Sequence, residues 1–404
     1  MKSVELFAGA GGLAMGVTLA GFESLAVVEW DKWACDTVRE NQKRGYPLVS
    51  GWPLWEGDVR HFDWSSIPQD IDLLAGGPPC QPFSMGGKHK AFGDSRDMFP
   101  ATVEIVRKLR PKSFIIENVK GLTRSSFANY YQYILLQLEF PELARLENET
   151  WDDHLIRLQQ EKASGAMHIH GLTYNVIPTL VNAADYGIPQ KRERIFIVGF
   201  RSDLGVEWSF PKPTHSFDAL LKSQWVTGDY WINHGMLREC RNNVPEKLKS
   251  RVNKIAQGLI PVNEKPWRTV RDSLIDIPDP EDTTGHIFNN HNYQAGARVY
   301  PGHTGSPLDL PAKTLKAGSH GVPGGENMMV LDNGDVRYFS VRESARLQTF
   351  PDGYLMHGSW TETMRQLGNA VPVALARIVA SSVGRCLAET ALRSIAKERR
   401  KRSA

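Results

Sequence analysis

The chain has 404 residues, 41% of them hydrophobic and 23% charged, which is the composition of an ordinary soluble protein too long for one compact domain. Its 48 basic and 45 acidic side chains leave a net charge of only +3, which does not argue for a nucleic-acid partner. The wide spacing of Cys35, Cys80, Cys240 and Cys386 argues against a metal site or a disulfide framework. Because no leader pattern opens the chain and no window approaches the ~20 apolar residues of a membrane span, we expect a cytoplasmic protein without a membrane partner.

Short β-rich runs alternate with helix-forming segments over the first 200 residues. The runs are rich in Val, Ile, Leu and Phe and lie at residues 4–7, 25–29, 71–75, 114–117 and 194–198. This alternation predicts an α/β fold with a mainly parallel sheet. Between about residues 127 and 160 the pattern is helical without a strand signal, so we expect a helical insertion there.

A second, smaller domain is expected in the middle of the chain. From residue 201 to 335 the periodicity fades and Pro, Gly, Asn and His become frequent, which is typical of a loop-rich domain. A helical pattern then returns, so we expect residues 1–200 and 336–404 to form the larger domain together. Residues 238–271 hold nine basic against three acidic side chains, and such a block is either a solvated face or a phosphate-contacting surface.

A glycine-rich turn follows the first predicted strand. Gly9, Gly11 and Ala14 fit the G-x-G-x-x-A pattern of nucleotide-binding turns, in which glycine permits a tight turn and close approach of a ligand. Glu29 stands 20 residues after Gly9, where an acid can bind ribose hydroxyls. Asp58 is a third candidate, because a carboxylate can accept from the exocyclic amine of adenine, although an Asp in a turn is often only a helix cap. Together these residues predict a nucleotide-type cofactor site.

One cysteine lies in a rigid segment. Pro78, Pro79 and Pro82 surround Cys80 after the run that ends at Ala75. Ligands bind at the carboxyl ends of strands in open α/β sheets, and a fixed thiol beside a helix N-terminus can ionise readily and act as a nucleophile. An isolated cysteine is more often an inert buried residue, but this setting favours a catalytic Cys80.

Charged residues flank two further strands. Glu117 ends an apolar run, where it is either a satisfied structural acid or, in one cleft with Cys80, a proton donor to a substrate nitrogen while the thiolate attacks carbon. Strand alternation predicts that Arg192 and Arg194 share a face. Two such guanidiniums suit recognition of a carbonyl or a phosphate, unless they lie on a solvated strand edge.

Taken in chain order, these motifs resemble those of the DNA (cytosine-5) methyltransferase family of bacterial restriction-modification systems. The segments that carry the resemblance are residues 7–16, Glu29, and residues 57–59, 77–84, 117–119, 190–194, 342–348 and 368–372. The loop-rich part corresponds only by position, to the variable target-recognition region of the family. The resemblance implies a doubly wound, mainly parallel, Rossmann-like sheet of the S-adenosylmethionine-dependent type, with a smaller target-recognition domain.

The resemblance also implies a mechanism and a set of site residues. Cys80 would add to carbon 6 of cytosine while Glu117 protonates or hydrogen-bonds ring nitrogen 3. Arg194, helped by Arg192, would hold the carbonyl at position 2. Carbon 5 would then attack the methyl group of S-adenosyl-L-methionine, and loss of the carbon 5 proton with expulsion of the thiolate would restore the ring. The residues implied to line the cofactor site are Phe7, Gly9, Gly11, Glu29, Trp30, Asp58, Val59, Pro78 and Asn369.

By the same resemblance the substrate is double-stranded DNA, from which the target cytosine is flipped out at an unstacking cost of ~ a few kcal/mol. Residues 86–90 would form a loop that closes on DNA. The candidates for reading bases are Arg298, His303, Lys316 and His320. The resemblance allows a cognate restriction endonuclease as a partner, although the sequence does not reveal whether one exists. A monomer is the expected state, because each flipping event needs one cofactor and one cytosine.

Three other functions fit part of the pattern. A nicotinamide-dependent oxidoreductase would share the glycine turn and Glu29 but would leave Cys80, Glu117 and the arginine pair unexplained together. A DNA-binding protein on a methyltransferase scaffold would not need those catalytic residues. The same chemistry on RNA would keep every motif, so only a competition between duplex DNA and transfer RNA separates that alternative.

Overall fold

The computed structural model describes residues 1–79, 97–165, 171–282, 287–317 and 327–403. The chain divides into two units. Unit 1 comprises Met1–Val181, Glu193–Pro211 and Ala376–Ala404, and unit 2 comprises Asn182–Arg192 and Lys212–Leu375. Cys80, the expected closing loop at residues 86–90 and His320 lie outside the described residues.

A seven-stranded sheet forms the centre of unit 1. Its strands are β1 Lys2–Leu6, β2 Glu23–Glu29, β3 Leu54–Glu56, β4 Leu73–Gly76, β5 Ser113–Val119, β6 Tyr174–Asn182 and β7 Glu193–Arg201. Their order across the sheet is β3-β2-β1-β4-β5-β7-β6. The pairs β1/β2, β1/β4, β2/β3 and β4/β5 are parallel, whereas β7 runs antiparallel to β5. The predicted doubly wound, mainly parallel α/β sheet is therefore confirmed.

The described helices lie on both sides of this sheet and in unit 2. In chain order they are α1 Gly12–Leu19, α2 Lys32–Lys43, α3 Phe99–Leu109, α4 Ala128–Glu139, α5 Trp151–Ser164, α6 Phe217–Leu221, α7 Asp229–Asn233, α8 Glu246–Ala256, α9 Val270–Ser273, α10 Val341–Leu347, α11 Trp360–Asn369 and α12 Val373–Ser403. One face of the sheet buries Val4, Leu6 and Ile116 in the same core as Phe99 of α3 and Leu158 of α5. The central strands are buried on both faces, as strands of a parallel sheet are.

The opposite face of β1 carries an acid. Side chains alternate along a strand, so Glu5 points away from the core that holds Val4 and Leu6. Glu5 is only 1% exposed, and its Oε1 atom has no hydrogen-bond partner among the described residues. Burial raises the pKa of Glu5 to about 8, and the Ser3 hydroxyl opposes this shift. The unit therefore contains a buried carboxyl group that the sequence pattern did not single out.

Helix α12 packs against elements from the beginning of the chain in unit 1. A Cβ placed on Gly16 of α1 would lie 2.3 Å from the Cβ of Ala376 in α12. A Cβ on Gly384 would lie 3.0 Å from Met1 Cε and 3.2 Å from the Phe22 ring. Gly16 has no room for a side chain, because α12 backbone atoms lie too close, whereas a Cβ on Gly384 would require the Met1 and Phe22 side chains to shift by a few tenths of an ångström.

The helical pattern expected between about residues 127 and 160 is present as α4 and α5, which pack into the main core. Tyr130, Tyr133 and Leu138 of α4 belong to the same cluster as the sheet residues. His154 of α5 hydrogen-bonds the Tyr133 hydroxyl through Nδ1 at 2.9 Å and the Leu143 carbonyl through Nε2 at 2.7 Å. Helix α4 is thus part of the main core of unit 1. The buried His154 links it through Tyr133 to the backbone at Leu143, in the segment between α4 and α5.

Short strands and loops dominate unit 2. The strands are β8 His215–Ser216, β9 Lys265–Pro266, β10 Ser306–Pro307, β11 Met328–Val330 and β12 Val336–Tyr338. β8 and β9 pair in parallel, and β10, β11 and β12 form a second small sheet. One core of this unit contains Val270, Ala312, Leu315, Met329, Phe339 and Leu347. Two others centre on Trp231 and Val252.

The boundary between the units differs from the expected one at residue 336. Phe339 and Leu347 share a core with Val270 and Ala312, so β12, α10 and α11 belong to unit 2. The last piece of unit 1 begins only at Ala376. The helical pattern of residues 341–375 is therefore present as expected, but its apolar side chains are buried with those of the loop-rich region.

One stretch departs from the expectation that no segment has the character of a membrane span. Trp360–Ala396 is long and apolar enough by length and composition, but 61% of its apolar window is buried inside the protein. The stretch also contains the break between α11 and α12. A core helix passes the same test because it is apolar on every side, and the burial identifies this stretch as core.

Candidate active site

The glycine-rich turn leaves β1 with left-handed backbone at alternate residues. Phe7, Gly9 and Gly11 have φ values of 54°, 56° and 91°, a region that glycine adopts without strain. A Cβ on Gly11 would lie 2.9 Å from the Trp52 ring, whereas a Cβ on Gly9 would meet nothing within 4 Å. Gly11 is therefore required for packing, and Gly9 leaves open space beside the turn that a ligand can approach.

Glu29 holds this turn in place from the end of β2. Its Oε2 accepts the Gly9 N–H at 2.7 Å, and its Oε1 accepts the N–H groups of Trp30 and Asp31 at 2.8 and 2.7 Å. Burial raises the pKa of Glu29, and these three donors oppose the shift. A carboxylate has about four acceptor positions, so one remains for a ligand hydroxyl. The position fits the ribose contact predicted from the sequence.

Asp58 and Val59 follow β3 and have different roles. Asp58 caps the next turn and accepts from Arg60 Nε at 2.9 Å. This hydrogen bond with Arg60 lowers the pKa of Asp58 to about 2. Val59 is buried in the main core. A contact between Asp58 and an adenine amine would therefore have to be shared with Arg60, while Val59 supports the turn by packing.

Two other predicted cofactor residues present surface to solvent. Trp30 is 65% exposed, so its ring offers a face that an aromatic ligand can cover. Asn369, the last residue of α11, is also exposed. Phe7 is partly buried against the main core, and Pro78 is buried. The cofactor contacts of these four residues remain predictions.

A buried ion pair links the ends of β5 and β7. In the antiparallel register Arg194 lies opposite Val119, two residues from Glu117 on the same face. Arg194 Nε is 2.8 Å from Glu117 Oε1, and the two side chains are 10% and 9% exposed. Arg194 Nη1 donates to the Glu193 carbonyl at 2.8 Å. Among the described residues nothing accepts from its Nη2, so Arg194 has N–H donors left for a substrate carbonyl.

The segment that leads to Cys80 lies against this pair. Asn118 Nδ2 donates to the Pro78 carbonyl at 3.0 Å, and a Cβ on Gly77 would lie 3.2 Å from Glu117 Oε2. Residues 77–79 therefore pass beside the Glu117 carboxylate just before Cys80 in the chain. The sequence predicted Glu117 and Cys80 at the ends of two strands but gave no signal that Asn118 binds the Pro78 carbonyl.

Arg192 departs from the expectation that it shares a face with Arg194. β7 begins at Glu193, so strand alternation does not extend back to Arg192. Its guanidinium is 0% exposed and donates through Nη2 to the carbonyls of Gly368 and Ala370 at 2.7 and 2.8 Å. Arg192 thus holds backbone within unit 2, whereas Arg194 pairs with an acid in unit 1.

Cationic side chains gather beside an aromatic pair in unit 2. Lys191 Nζ lies 5.3 Å from the centre of the Trp267 ring and 5.5 Å from that of Phe217. We call Lys191, His215, Lys247, Lys265 and Arg268 the basic patch. Only the last three fall in the basic stretch found in the sequence.

Electrostatics and strand pairing join the members of the basic patch. His215 pairs with Lys265 across β8 and β9. Burial lowers the pKa of His215, and Lys265 and Arg268 lower it further. Burial likewise lowers the pKa of Lys191, with a further contribution from Lys247. The three lysines and Arg268 are like charges, and their proximity indicates a surface that attracts anions.

The model of the C-5 cytosine-specific DNA methylase family matches residues 1–141 and 160–385. The chain belongs to this family. The family model leaves residues 142–159 unmatched, a shorter segment than the insertion expected at about 127–160. The family resemblance inferred from the motifs is confirmed, and the protein is a DNA (cytosine-5) methyltransferase. The nicotinamide-dependent oxidoreductase is no longer a competing explanation.

Known relatives align with nearly the whole chain. The Type II methyltransferase M.FnuDI of Fusobacterium nucleatum is 31% identical over 398 residues, covering 96% of each chain. M.Eco47II of Escherichia coli is 30% identical over 388 residues, covering 94% of this chain and 78% of the relative. M.PspPI of Psychrobacter sp. (strain TA137) is 29% identical over 385 residues, or 95% and 79% of the two chains.

Solved structures share the fold at lower identity. The Dnmt2 methyltransferase of S. pombe superposes with a TM-score of 0.54 at 16% identity, covering 96% of this chain and 99% of the other. The Entamoeba histolytica methyltransferase EhMeth gives 0.52 at 14% identity, covering 96% and 98%. The family and the fold together indicate methylation of cytosine in DNA with S-adenosylmethionine as methyl donor.

Proposed function

We propose that this enzyme methylates carbon 5 of a cytosine flipped out of a specific short duplex sequence, through a covalent adduct with Cys80. The observation that carries the proposal is the buried pair of Glu117 and Arg194, 2.8 Å apart, beside the segment that enters Cys80. A carboxyl and a guanidinium fixed together can meet the adjacent N3 and O2 atoms of one cytosine ring. Their separation from water strengthens both contacts.

Each of the three side chains has one role in the addition step. The Cys80 thiolate forms a bond to carbon 6, and the electron pair of the carbon 5–carbon 6 double bond moves toward the ring nitrogen. Glu117 donates a proton or a hydrogen bond to N3, which receives that density. Arg194 donates from Nη2 to the carbonyl oxygen at position 2 while Nε stays near Glu117. After carbon 5 has received the methyl group, its proton is lost to water, the thiolate leaves carbon 6, and a proton accepted at N3 returns to Glu117, which restores the aromatic ring.

The glycine turn fits an adenosine-type cofactor. The open space at Gly9 admits a ligand, and the remaining acceptor position of Glu29 suits a ribose hydroxyl. We propose that Phe7, Gly11, Asp58, Val59, Pro78 and Asn369 complete the site with the ring of Trp30. When bound there, S-adenosyl-L-methionine supplies an electrophilic methyl group. The chain's own contribution is to orient that group and to exclude water around carbon 5.

Transfer of labelled methyl to duplex DNA, followed by mapping of the modified bases, tests the proposal. The expected result is label on carbon 5 of cytosine at one repeated short site. Label on transfer RNA in preference to duplex DNA would redirect the proposal to RNA. Absence of transfer to either polymer, with S-adenosylhomocysteine still bound, would leave a binding protein and overturn it.

Replacing Glu117 tests its contact with N3. Glu117→Gln keeps the size of the side chain but removes the ionisable group, and general acid–base groups contribute about 10² to 10⁴ in rate. We expect kcat for methyl transfer to fall by a factor in that range, with S-adenosylhomocysteine affinity unchanged. Glu193→Gln is the matched control, because Glu193 is half-exposed and pairs with Lys120. Equal rates for the two variants would remove Glu117 from the mechanism.

We propose that the basic patch binds the phosphate backbone of the DNA. Each phosphate contact adds about 0.9 to the slope of log affinity against log salt. Lys247→Gln and Lys265→Gln are each expected to lower that slope by about 0.9 in a duplex-binding titration. Lys249→Gln, on the same helix as Lys247 but paired with Glu246 at 2.6 Å, serves as the control. Three identical slopes would exclude the patch from the DNA contact.

The names of the relatives support a setting for this activity. M.FnuDI and M.Eco47II are named Type II methyltransferases, the name given to the modification enzymes of restriction systems. We propose that this chain likewise modifies one site in the cytoplasm, as a monomer, beside a cognate endonuclease. Arg298, His303 and Lys316 of unit 2, together with His320, remain the proposed base-reading residues.

A further inference from the structure

We infer that Arg192 is a positioning residue that sets the backbone around Asn369, and that it does not contact the substrate. The inference rests on the proposed function, in which Asn369 contacts the cofactor. Arg192 Nη2 donates to the carbonyls of Gly368 and Ala370 at 2.7 and 2.8 Å. These two carbonyls flank Asn369 on either side in the chain. One guanidinium group therefore fixes the backbone on both sides of an exposed amide side chain.

Helix termini explain why a guanidinium suits this position. α11 ends at Asn369, and the last carbonyls of a helix have no partner within the helix. A cation beside them is also favoured by the negative end of the helix dipole. Arg192 is 0% exposed, and its hydrogen bond to the Gly368 carbonyl is buried, whereas that to the Ala370 carbonyl is partly buried. Loss of the guanidinium would leave the buried Gly368 carbonyl without this donor, which is costly.

The same guanidinium reaches a second segment. Arg192 Nη1 donates to the Leu315 carbonyl at 3.2 Å, and Leu315 N–H donates to Gln190 Oε1 at 3.2 Å. Gln190 and Arg192 thus hold Leu315 from both its carbonyl and its amide. We call Arg192, Gln190 and the backbone of residues 315–317 and 368–370 the arginine joint.

Gly368 makes the joint tight. A Cβ on Gly368 would lie 2.3 Å from the Ala317 nitrogen and 2.6 Å from the Lys316 carbonyl carbon. These atoms are backbone, so they cannot move aside as a flexible side chain can. Lys316 N–H and carbonyl are in turn held by Asn327, at 3.2 Å each. The end of α11 therefore rests directly on the segment that carries a proposed base-reading residue.

Two variants disturb the joint by different means. Arg192→Lys keeps the charge but replaces the planar fork by one ammonium, which cannot bridge carbonyls in two segments. Gly368→Ala keeps Arg192 and adds one methyl group against backbone. We expect each to weaken S-adenosylhomocysteine binding to the full-length protein at least tenfold, measured by calorimetry without DNA. Arg365→Lys is the control, because Arg365 lies on the same helix but pairs with Glu362 near the surface.

A second readout separates positioning from substrate contact. Duplexes carrying the mapped site with either cytosine or an abasic position differ only in the base. A positioning role predicts that Arg192→Lys leaves the ratio of the two affinities as in the unmodified protein. A fall in that ratio, or S-adenosylhomocysteine affinity within twofold of the unmodified protein, would overturn the inference.

Gly368→Ala separates a loss of cofactor binding from a failure of Arg192→Lys to fold. Should Arg192→Lys fail to fold in a thermal melt, Gly368→Ala decides the question, since it retains every donor of the joint. Because calorimetry needs no turnover, a failure of the proposed methyl transfer in the unmodified protein would leave the binding result readable. Unchanged binding in Gly368→Ala as well would show that the joint does not shape the cofactor site.

Discussion

Cys80→Ala is expected to lower kcat for methyl transfer by at least about 10⁴-fold while duplex binding persists. Carbon 5 of cytosine is a poor nucleophile, so the reaction depends on prior addition of a thiolate to carbon 6. Loss of the nucleophilic serine of a serine protease costs about 10⁶-fold in kcat. Single-turnover transfer of labelled methyl to a duplex containing the mapped site measures the effect.

A trapped adduct tests the same step without a completed turnover. With S-adenosyl-L-methionine present, carbon 5 of a 5-fluorocytosine target takes the methyl group but then carries fluorine in place of the proton. Fluorine cannot leave as a proton does, so the thiolate stays attached to carbon 6. We expect a protein–DNA species that survives denaturing electrophoresis with the unmodified enzyme and with Cys386→Ala, whose thiol is free and half-buried. Cys80→Ala should give none. Formation of the adduct by Cys80→Ala would assign the nucleophile to another residue.

Glu5→Gln is expected to stabilise the protein increasingly as the pH rises from 5 to 8. Burial raises the pKa of Glu5 to about 8, whereas an unfolded chain releases this proton near pH 4.3. Below that value both states are protonated and burial carries no ionisation penalty. As the pH rises toward 8 the unfolded state loses its proton first, so the free energy of unfolding falls. Above pH 8 both states are ionised and the loss is complete.

The size of the effect follows from the shift. One pKa unit corresponds to about 1.36 kcal/mol. A rise in the pKa of Glu5 from about 4.3 to about 8 therefore lowers the free energy of unfolding at pH 8 by at most about 5 kcal/mol. An amide at position 5 does not ionise and avoids this loss. Urea denaturation of Glu5→Gln and the unmodified protein between pH 5 and 8.5 measures the difference. Glu23→Gln, on the neighbouring strand but exposed and paired with Lys2, should keep the pH profile of the unmodified protein. Parallel profiles for Glu5→Gln would contradict the prediction.

The strands that position the site could be predicted because they are buried on both faces. The run at residues 114–117 lies inside β5 and that at 194–198 inside β7, since continuous apolar stretches are typical of covered sheets. β3 has only three residues, Leu54–Glu56, and its partly exposed side chains give no such run. Edge strands of this kind are defined by backbone pairing, which a pattern of side chains does not report.

Glu117 and Arg194 could be predicted as members of one site, but Arg192 could not be placed. The alternation rule holds only within a strand, and β7 begins at Glu193, one residue after Arg192. Arg192 therefore does not follow the alternation of β7, and it belongs to unit 2. Its partners are backbone carbonyls at residues 315, 368 and 370, which carry no signature in the sequence. The burial of Glu5 was invisible for a similar reason, since an acid in alternating sequence normally indicates an exposed face.

The contact of Gly16 with Ala376 has a consequence for biosynthesis. A ribosome releases the chain from the N-terminus at about 5 to 20 residues per second, and 360 residues separate these two positions. The face of α1 that receives α12 therefore stays bare until residue 376 has been made. Nascent chains that stall before α12 would present apolar surface to chaperones and proteases. Premature termination between codons 373 and 387, the part of α12 that holds its buried side chains, is thus expected to yield insoluble product, even though every proposed catalytic side chain has already been made.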